Sequence, residues 1–371
     1  MMEKTAWYSI SNIAAIDSPA LVLYAERITA NIQLAIQMIG NVALLRPHVK
    51  TSKMAEVCQL MIAQGITKFK CATIAEAEML AQVAAPDVLL AYQPVGPKAE
   101  RLVALINKYP GTLFSCLVDN PETAAALSVL ALHHQLILPV YLDLNIGMNR
   151  TGILPGEEAL VLFEYCMSLP GIRPIGLHAY DGHIKAVDLV ERQLQSDEAF
   201  ARAQSLREKI ERKLNISLLI IIGGSPTYPT HLHRELVECS PGTFVFWDWS
   251  YQQQLPEQAF QLAALVITRV VSILDDHTIC VDLGHKSVAA ENPFPRIYFL
   301  NAPDVTAVGQ SEEHLVLKVA SSAAFKIGDV LYGTPMHICP TVALYERAFV
   351  VEGGKVSDEW KVVARDRKIS V

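Results

Sequence analysis

Lys50 is the residue best suited to covalent chemistry. It lies in the segment LLRPHVKTSK, where it ends an apolar stretch that is typical of a β-strand. An amine held at a strand end could form an imine with an aldehyde. A surface lysine that merely follows a strand explains the position equally well. Lys53 is the nearest competitor, and we expect it to lie past the strand, at the start of the next helix.

Two glycine loops could hold a phosphate group. In IIIGGSPTYPT and in SPGTF, backbone N–H groups and neighbouring hydroxyls could turn toward an anion. The candidate phosphate-binding residues are Gly223, Gly224, Ser225, Thr227, Gly242 and Thr243. A single Gly-Gly pair most often marks only a turn. Two such loops on adjacent strands, together with a lysine that ends another strand, favour a phosphate site.

Three further side chains could contact a flat, anionic ligand. Arg150, in DLNIGMNRTG, could anchor a carboxylate or hydrogen-bond a cofactor ring, although a structural ion pair explains it nearly as well. His178 and Tyr180, in GLHAYDGH, would point to one face of a strand. An aromatic side chain there could flank a cofactor ring; ordinary packing inside the barrel is the alternative.

His337 and Cys339 form a His-x-Cys pair in GTPMHICPTV. In extended chain, residues i and i+2 point to one side, so both could reach one metal ion. Taken alone the pair is weak evidence, because structural zinc sites use four ligands and most such pairs are coincidental. Cysteine favours zinc over magnesium. Two protein ligands would leave coordination positions open for water and substrate, which suits catalysis.

Alternating strands and helices would position these residues. Eight apolar runs lie between Ala43 and Gly242, and helical patterns such as MAEVCQLMIAQG and TIAEAEMLAQVA separate several of them. Apolar strands that alternate with helices imply a parallel sheet covered on both faces. Eight such units predict an α/β fold with a closed (β/α)8 TIM-type barrel. An open doubly wound sheet is the alternative.

The pattern changes after about Phe260. The remaining chain contains short β-type runs broken by Gly, Asp, Asn or Pro, which predicts a smaller, mainly β C-terminal domain. We therefore predict a barrel domain over residues 20–258 and a β domain made of residues 1–19 and 259–371. The stretch SPALVLYAERITANIQLAIQMIG, before the eight runs, is expected to form one extra strand and an amphipathic helix.

Composition argues against several classes of partner. The net charge is −7 with 19% charged residues, so neither a nucleic acid nor a membrane is expected to bind. No apolar run of roughly 18 residues is present, and the N-terminus lacks an apolar core with a cleavage site. The seven cysteines are widely spaced and contain no CxxC pair, which suits a reducing cytoplasm.

With these motifs in place, the chain resembles the fold-type III pyridoxal-phosphate enzymes. Within them it is similar to the group of metal-dependent D-threonine aldolases and eukaryotic-type D-serine dehydratases. The resemblance runs nearly from end to end. It depends on LRPHVKTSK, MNRTG, GGSPT, SPGTFVFWD, VDLGHKSVAAENP and HICPTV with VVEGGKV, which occur in the family's order. The lysine motif and the late His-x-Cys pair together make it specific.

The resemblance implies a role for each candidate. Lys50 would be the Schiff-base lysine of pyridoxal 5′-phosphate, and the two glycine loops would hold its phosphate. His337 and Cys339 would bind a divalent metal, with zinc preferred and manganese or magnesium as alternatives. The residues around the pyridine ring would be Arg150, His178 and Tyr180.

The implied activity is that of a lyase on D-β-hydroxy amino acids, by retro-aldol cleavage or by elimination. Enzymes of this kind build their sites between subunits, so we expect a homodimer in which the barrel of one subunit faces the β domain of the other. Two alternatives remain. An amino-acid racemase would need a second acid/base but no metal, and a non-catalytic pyridoxal-phosphate-binding protein would resemble the barrel alone.

Two positions bear on the choice within this group. Ser52 stands where the lysine motif often carries histidine, which bears on fine specificity. The second metal ligand is usually aspartate in the D-threonine aldolases and cysteine in the D-serine dehydratases. Cys339 therefore favours the dehydratase side of the prediction.

Overall fold

The computed structural model describes residues 6–371 and separates into two compact units. Within that range, the first unit consists of residues 6–34, Thr51–Val57 and Thr243–Arg365, and the second of Ala35–Lys50, Cys58–Gly242 and Asp366–Val371. These bounds differ from those of the domains predicted over residues 20–258 and over residues 1–19 and 259–371, and that division stays a prediction.

Strands and helices alternate through the first two thirds of the chain, and strands dominate the last third. The strands are β1 (Ala20–Tyr24), β2 (Lys68–Cys71), β3 (Asp87–Leu90), β4 (Leu113–Val118), β5 (Leu138–Leu144), β6 (Ile172–Ala179), β7 (Leu219–Ile222), β8 (Val237–Cys239), β9 (Ala264–Asp275), β10 (Thr278–Val281), β11 (Ile297–Phe299), β12 (Thr306–Gln310), β13 (Leu315–Lys318), β14 (Val330–Pro335), β15 (Arg347–Glu352) and β16 (Lys355–Lys361). The α-helices are α1 (Ala25–Ile39), α2 (Ala55–Ala63), α3 (Ile74–Gln82), α4 (Pro97–Lys108), α5 (Pro121–His133), α6 (Glu157–Ser168), α7 (Leu189–Leu214), α8 (Tyr228–His231), α9 (Trp249–Gln254) and α10 (Ile338–Val342). Among residues 6–371, no helix is both long and apolar enough to cross a membrane.

The second unit is built around a parallel sheet of seven strands, which neighbour one another in chain order from β2 to β8. A helix connects each strand to the next. Thr73 and Asn120 begin two of these helices, α3 and α5, where their side chains accept a hydrogen bond from the third backbone N–H of the helix. The strands are buried nearly throughout, as a sheet covered on both faces requires. The predicted α/β barrel class is confirmed.

The first of the eight predicted strands takes a different form. Its residues make only isolated parallel bridges, Leu45 with Cys239 of β8 and His48 with Lys70 of β2. Pro47 lies between the two bridges and has no N–H group, so an unbroken ladder cannot form. Backbone hydrogen bonds nevertheless join these residues to both neighbouring strands. Residues 45–49, which we call the closing segment, therefore link β8 to β2 and complete the barrel.

Arg46, in the closing segment, is fully buried and bonded to two carboxylates. Its Nε donates to Glu238 at 2.6 Å, and its two Nη atoms donate to the two oxygens of Asp87 at 2.7 and 3.0 Å. Lys68 pairs with the other oxygen of Glu238. Burial opposes the charge on Arg46, but the two carboxylates outweigh burial and raise its pKa. These bonds tie the closing segment to β3 and β8.

The first unit is built around a nine-stranded sheet that is mostly antiparallel. Seven strands follow the order β12-β13-β10-β9-β1-β15-β16, while β14 pairs with both β9 and β11. β1, the predicted extra strand, lies between β9 and β15, antiparallel to the first and parallel to the second. Its apolar side chains pack with those of β9, as in the contacts of Val22 and Tyr24 with Leu265 and Ile267. The predicted smaller, mainly β part of the chain is confirmed.

We predict that Arg46→Met destabilises the protein strongly. The substitution leaves the carboxylates of Asp87 and Glu238 without their main cation, and breaking a buried ion pair on one side costs about 3–5 kcal/mol. Urea denaturation would measure this loss in the free energy of unfolding. Arg347→Met is the matched control, because Arg347 forms exposed ion pairs and should lose less than about 1 kcal/mol. Equal losses for the two variants would show that the barrel does not depend on Arg46.

Candidate active site

Lys50 lies directly after the closing segment, at the carboxyl end of the barrel strands. It is half-buried, and its backbone N–H donates to Nδ1 of His48 at 3.2 Å. Its Nζ lies 5.7 Å from the centroid of the Tyr180 ring, and the guanidinium carbon of Arg150 lies 5.1 Å from the same centroid. The structure therefore brings together three residues that the sequence singled out. Lys50, Arg150 and Tyr180 meet at one place, which we call the barrel mouth.

His178 is buried near the end of β6 and bonds to a partner that the sequence analysis did not identify. Its Nδ1 lies 2.7 Å from Oδ1 of Asp143 in β5. Burial, followed by the charge of Lys70, lowers the pKa of His178, although Asp143 opposes both. A neutral ring that donates from Nδ1 carries a lone pair on Nε2. That buried Nε2 has no hydrogen-bond partner among residues 6–371, so it is available to a ligand.

The two predicted glycine loops meet in the second unit. The Gly242 N–H donates to Oγ of Ser225 at 3.3 Å, which joins the loop after β8 to the loop after β7. Gly223 has a φ of 82°, a left-handed conformation that glycine adopts without strain. A Cβ at Gly224 would approach the Tyr180 ring to 3.4 Å, so this loop borders the barrel mouth. Thr243 falls in the first unit, where its hydroxyl lies 3.5 Å from Sγ of Cys339.

A buried His–Asp pair supports the first glycine loop. Oδ2 of Asp181 lies 2.8 Å from Nε2 of His231, while its Oδ1 lies 3.4 Å from the Gly224 N–H. Burial would raise the pKa of Asp181, but the hydrogen bonds with His231 and Thr227 lower it. The carboxylate is therefore ionised, and it supports the loop by accepting a hydrogen bond from the Gly224 N–H. Asp181 directly follows Tyr180, and its position in HAYDGH was the only sequence signal for this role.

Two linked glycine loops, a buried His178 nitrogen with no partner among residues 6–371 and a lysine beside an aromatic ring fit pyridoxal phosphate. The loop amides and hydroxyls would hold the phosphate, and Arg150 with His178 would contact the pyridine ring. Ser240, at the end of β8, adds a buried hydroxyl with no hydrogen-bond partner among the described residues.

His337 and Cys339 lie close together in the first unit, although Cys339 is helical and not in the extended chain that the sequence analysis assumed. His337 precedes α10 and Cys339 lies in its first turn. Burial opposes protonation of His337, but Cys339 and Glu291 outweigh it and raise its pKa to about 9. Burial raises the pKa of Cys339, but the hydrogen bond with His337 reverses this and lowers it. The two side chains are therefore hydrogen-bonded to each other, and a divalent ion that replaced the shared proton would find a nitrogen and a sulfur donor.

Two carboxylates that the sequence analysis did not identify surround this pair. Oε1 of Glu291 lies 2.6 Å from Nδ1 of His337, which leaves Nε2 as the nitrogen for a metal. Asp248 accepts hydrogen bonds from the N–H groups of Tyr251 and Ile338, so it caps α9 and anchors the start of α10. Burial raises the pKa of Asp248 to about 6. Both residues belong to motifs of the family resemblance, SPGTFVFWD and VDLGHKSVAAENP, but no role was assigned to them.

The His337–Cys339 pair offers two donors and no more. Among residues 6–371, no group of three or more His, Cys, Asp or Glu side chains is arranged to hold a metal ion. A bound ion would therefore complete its coordination with water or with a ligand, which is the open arrangement of catalytic rather than structural zinc.

Comparison with known proteins identifies the family. The family model for the alanine racemase N-terminal domain matches residues 24–248, more than half of the chain. The chain belongs to this family. A second model, described as a putative serine dehydratase domain, matches residues 263–351. The alanine racemase N-terminal family model thus spans all strands of the barrel, and the second model includes the His-x-Cys pair.

Several related proteins match this chain over nearly its full length. A D-threonine aldolase of Arthrobacter sp is 27% identical over 360 residues, covering 95% of this chain and 94% of the relative. A 3-hydroxy-D-aspartate aldolase of Paracoccus denitrificans (strain Pd 1222) is 25% identical, covering 95% and 93%. The crystal structure of D-threonine aldolase from Filomicrobium marinum superimposes with a TM-score of 0.89 at 26% identity, covering 97% and 98%. These matches confirm the resemblance seen in the sequence.

Three further matches include two dehydratases and an alanine racemase. A D-threo-3-hydroxyaspartate dehydratase of Delftia sp. (strain HT23) is 22% identical over 357 residues, and a mutant of a D-threo-3-hydroxyaspartate dehydratase has been solved in a metal-free form. An alanine racemase of Clostridium perfringens (strain ATCC 13124) is 33% identical, but over only 34% of this chain.

We predict that Glu291→Ala weakens zinc binding by about 10- to 100-fold. Without the carboxylate at Nδ1, the His337 ring loses its fixed orientation and part of its basicity, which costs affinity of this order at metal sites. Isothermal titration of the protein with zinc would measure the change. Glu313→Ala is the control, because Glu313 is exposed and pairs only with Lys286 among the described residues. Wild-type affinity in Glu291→Ala would contradict the orienting role.

Proposed function

We propose that this chain is a lyase that acts on D-β-hydroxy amino acids and depends on pyridoxal phosphate and a divalent metal. The observation that carries the proposal is the convergence of Lys50 and Arg150 on the ring of Tyr180, next to two linked glycine loops. Support comes from relatives that match 95% of this chain and are described as D-threonine aldolase and 3-hydroxy-D-aspartate aldolase.

Pyridoxal phosphate, when bound, supplies the electron sink for negative charge at the α-carbon of an amino acid. Lys50 would hold the cofactor through its aldehyde, and its amine, when free, is placed to take a proton from the substrate. The two glycine loops would hold the phosphate, and Arg150 would bind an anionic oxygen. His178, held by Asp143, is neutral and would face the cofactor ring with Nε2.

His337 and Cys339 would hold the divalent ion. An imidazole nitrogen with a thiolate favours zinc, while manganese or magnesium are the alternatives. An ion held there would supply Lewis-acid chemistry for the β-hydroxyl group of the substrate, which would favour departure of the hydroxyl in an elimination or loss of its proton in a retro-aldol cleavage. Cys339 favours elimination, whereas two relatives that match 95% of this chain are described as aldolases. Incubation with D-serine and D-threonine separates the two reactions by their products, pyruvate or glycine.

The racemase alternative has less support. In sequence, the matched alanine racemases align with about a third of this chain, whereas the aldolases align with nearly all of it. A racemase also has no use for the His337–Cys339 pair. A non-catalytic pyridoxal-phosphate-binding protein would need neither that pair nor the β sheet that carries it.

The assembly and the compartment are further parts of the proposal. We propose a homodimer, on the basis of the family resemblance and the prevalence of twofold assemblies. Seven free cysteines, six of them buried, favour a reducing compartment such as the cytoplasm. The substrate would be a small D-amino acid, and the net charge of −7 gives no reason to expect a nucleic acid.

We predict that Lys50→Ala abolishes the yellow colour of the protein with pyridoxal phosphate and reduces turnover below detection. The alanine has no amine with which to bind the aldehyde. Absorption spectra during titration with pyridoxal phosphate would show this directly. Lys53→Ala is the matched control, because Lys53 lies in the same motif but just before α2, and it should keep the absorption band. A wild-type protein that stays colourless would end the proposal.

We predict that removal of the metal stops turnover and leaves the colour unchanged. Chelation or Cys339→Ala should abolish the release of pyruvate or glycine, because the β-hydroxyl loses its Lewis acid. Cys339→Asp should recover part of the activity with manganese or magnesium, since a carboxylate is a harder ligand. Metal analysis together with product assays would check both. Undiminished turnover of every D-hydroxy amino acid after chelation would favour the racemase instead.

A further inference from the structure

A second lysine lies at the barrel mouth, and the mechanism above does not use it. Lys70 is the third residue of β2, opposite His48 of the closing segment, and only 4% of its surface is exposed. Its Nζ lies 5.7 Å from the centroid of the Tyr180 ring, the same distance as Nζ of Lys50. Two lysine amines and one guanidinium therefore converge on a single aromatic ring.

The ammonium group of Lys70 has no hydrogen-bond acceptor or ion-pair partner among the described residues. Lys68, two residues earlier on the same strand, pairs with Glu238. The two carboxylates that act on Lys70 over a longer range are Asp143 and Asp181, and each is bonded to a histidine. A buried cation without a partner is strongly disfavoured. Burial, together with the charge of Lys50, accordingly lowers the pKa of Lys70 to about 7.

We propose that Lys70 is an oxyanion receptor at the barrel mouth, which binds either the ring oxygen of pyridoxal phosphate or the carboxylate of the substrate. This proposal rests on the proposed function, because that function supplies both oxyanions. The chemistry of the site selects such a ligand. Lys50, Lys70 and Arg150 make the mouth cationic, and the two carboxylates whose charges act on Lys70, Asp143 and Asp181, are already bonded to histidines. A ligand oxyanion would give the Lys70 ammonium the partner that the protein does not supply.

Lys70→Met tests the first source of the oxyanion, because it keeps the length of the side chain and removes its charge. If Lys70 binds the ring oxygen, the dissociation constant of pyridoxal phosphate should rise on the order of 10- to 100-fold, as expected for loss of a charge-assisted hydrogen bond. Absorption titration would measure it. An analogue that lacks the ring hydroxyl should then bind the wild type and the variant with equal affinity. Lys68→Met should leave both affinities unchanged.

The second source is tested with the cofactor saturating. If Lys70 binds the substrate carboxylate, Lys70→Met should weaken the spectral response to D-alanine by a similar factor. The response to the matching amino alcohol, D-alaninol, should stay the same in the wild type and the variant. Lys70→Arg should restore most of the loss in whichever arm responds, because it restores the charge.

If Lys70 had a purely structural role, its loss would lower the unfolding temperature of the protein. Because Lys70 is buried without a partner among residues 6–371 when no ligand is bound, Lys70→Met should unfold at the same temperature as the wild type or at a higher one. Failure of both Lys70→Met and Lys70→Gln to fold would overturn the proposal. Wild-type affinities in both arms would also overturn it, as would losses that persist with the hydroxyl-free cofactor and with D-alaninol. In each case a coloured wild type would leave the proposed function intact, whereas a colourless wild type would contradict that function itself.

Discussion

The ion pairs of Arg46 fix the closing segment in place, where Pro47 has no N–H group for a ladder hydrogen bond. A proline in a barrel strand removes one N–H from the ladder, and here the segment keeps only isolated bridges to its neighbours. Arg46 compensates from inside the barrel, where it bonds to carboxylates of β3 and β8. Because Lys50 ends this same segment, the position of its amine depends on a buried ion-pair network four residues earlier.

Two buried His–Asp pairs keep the carboxylates near the barrel mouth from pairing with its cations. His178 with Asp143 and His231 with Asp181 keep their carboxylates ionised and engaged, so neither carboxylate forms an ion pair with the cations around Tyr180. The mouth therefore retains a positive potential in a region of low dielectric, where a few fixed charges act strongly. The first unit follows a different principle at His337 and Cys339, where a nitrogen donor and a sulfur donor are hydrogen-bonded to each other.

The sequence predicts the chemically reactive residues better than the residues that support them. Lys50, the glycine loops and the His-x-Cys pair are recognisable because their type and local spacing carry the signal. Asp143, Asp181 and Glu291 act on histidines that lie 35, 50 and 46 residues away, and no local pattern records such distances. Lys70 falls within an apolar run, and a strand pattern does not show which lysine lacks a partner. The closing segment has the apolar pattern of an ordinary strand, and Pro47 is the one signal in it against an unbroken ladder.

The place of β1 in its sheet has a consequence for the nascent chain. The strand is made before its neighbours β9 and β15, which follow roughly 240 and more than 300 residues later. At the usual pace of translation, β1 waits on the order of tens of seconds for its second neighbour. During that time ALVLY is an apolar strand with two unpaired edges, which is the kind of segment that aggregates. The barrel strands from β2 to β8 all emerge from the ribosome in this interval. The barrel can therefore fold while β1 is still unpaired. An unpaired apolar strand of this kind is a target for chaperone binding.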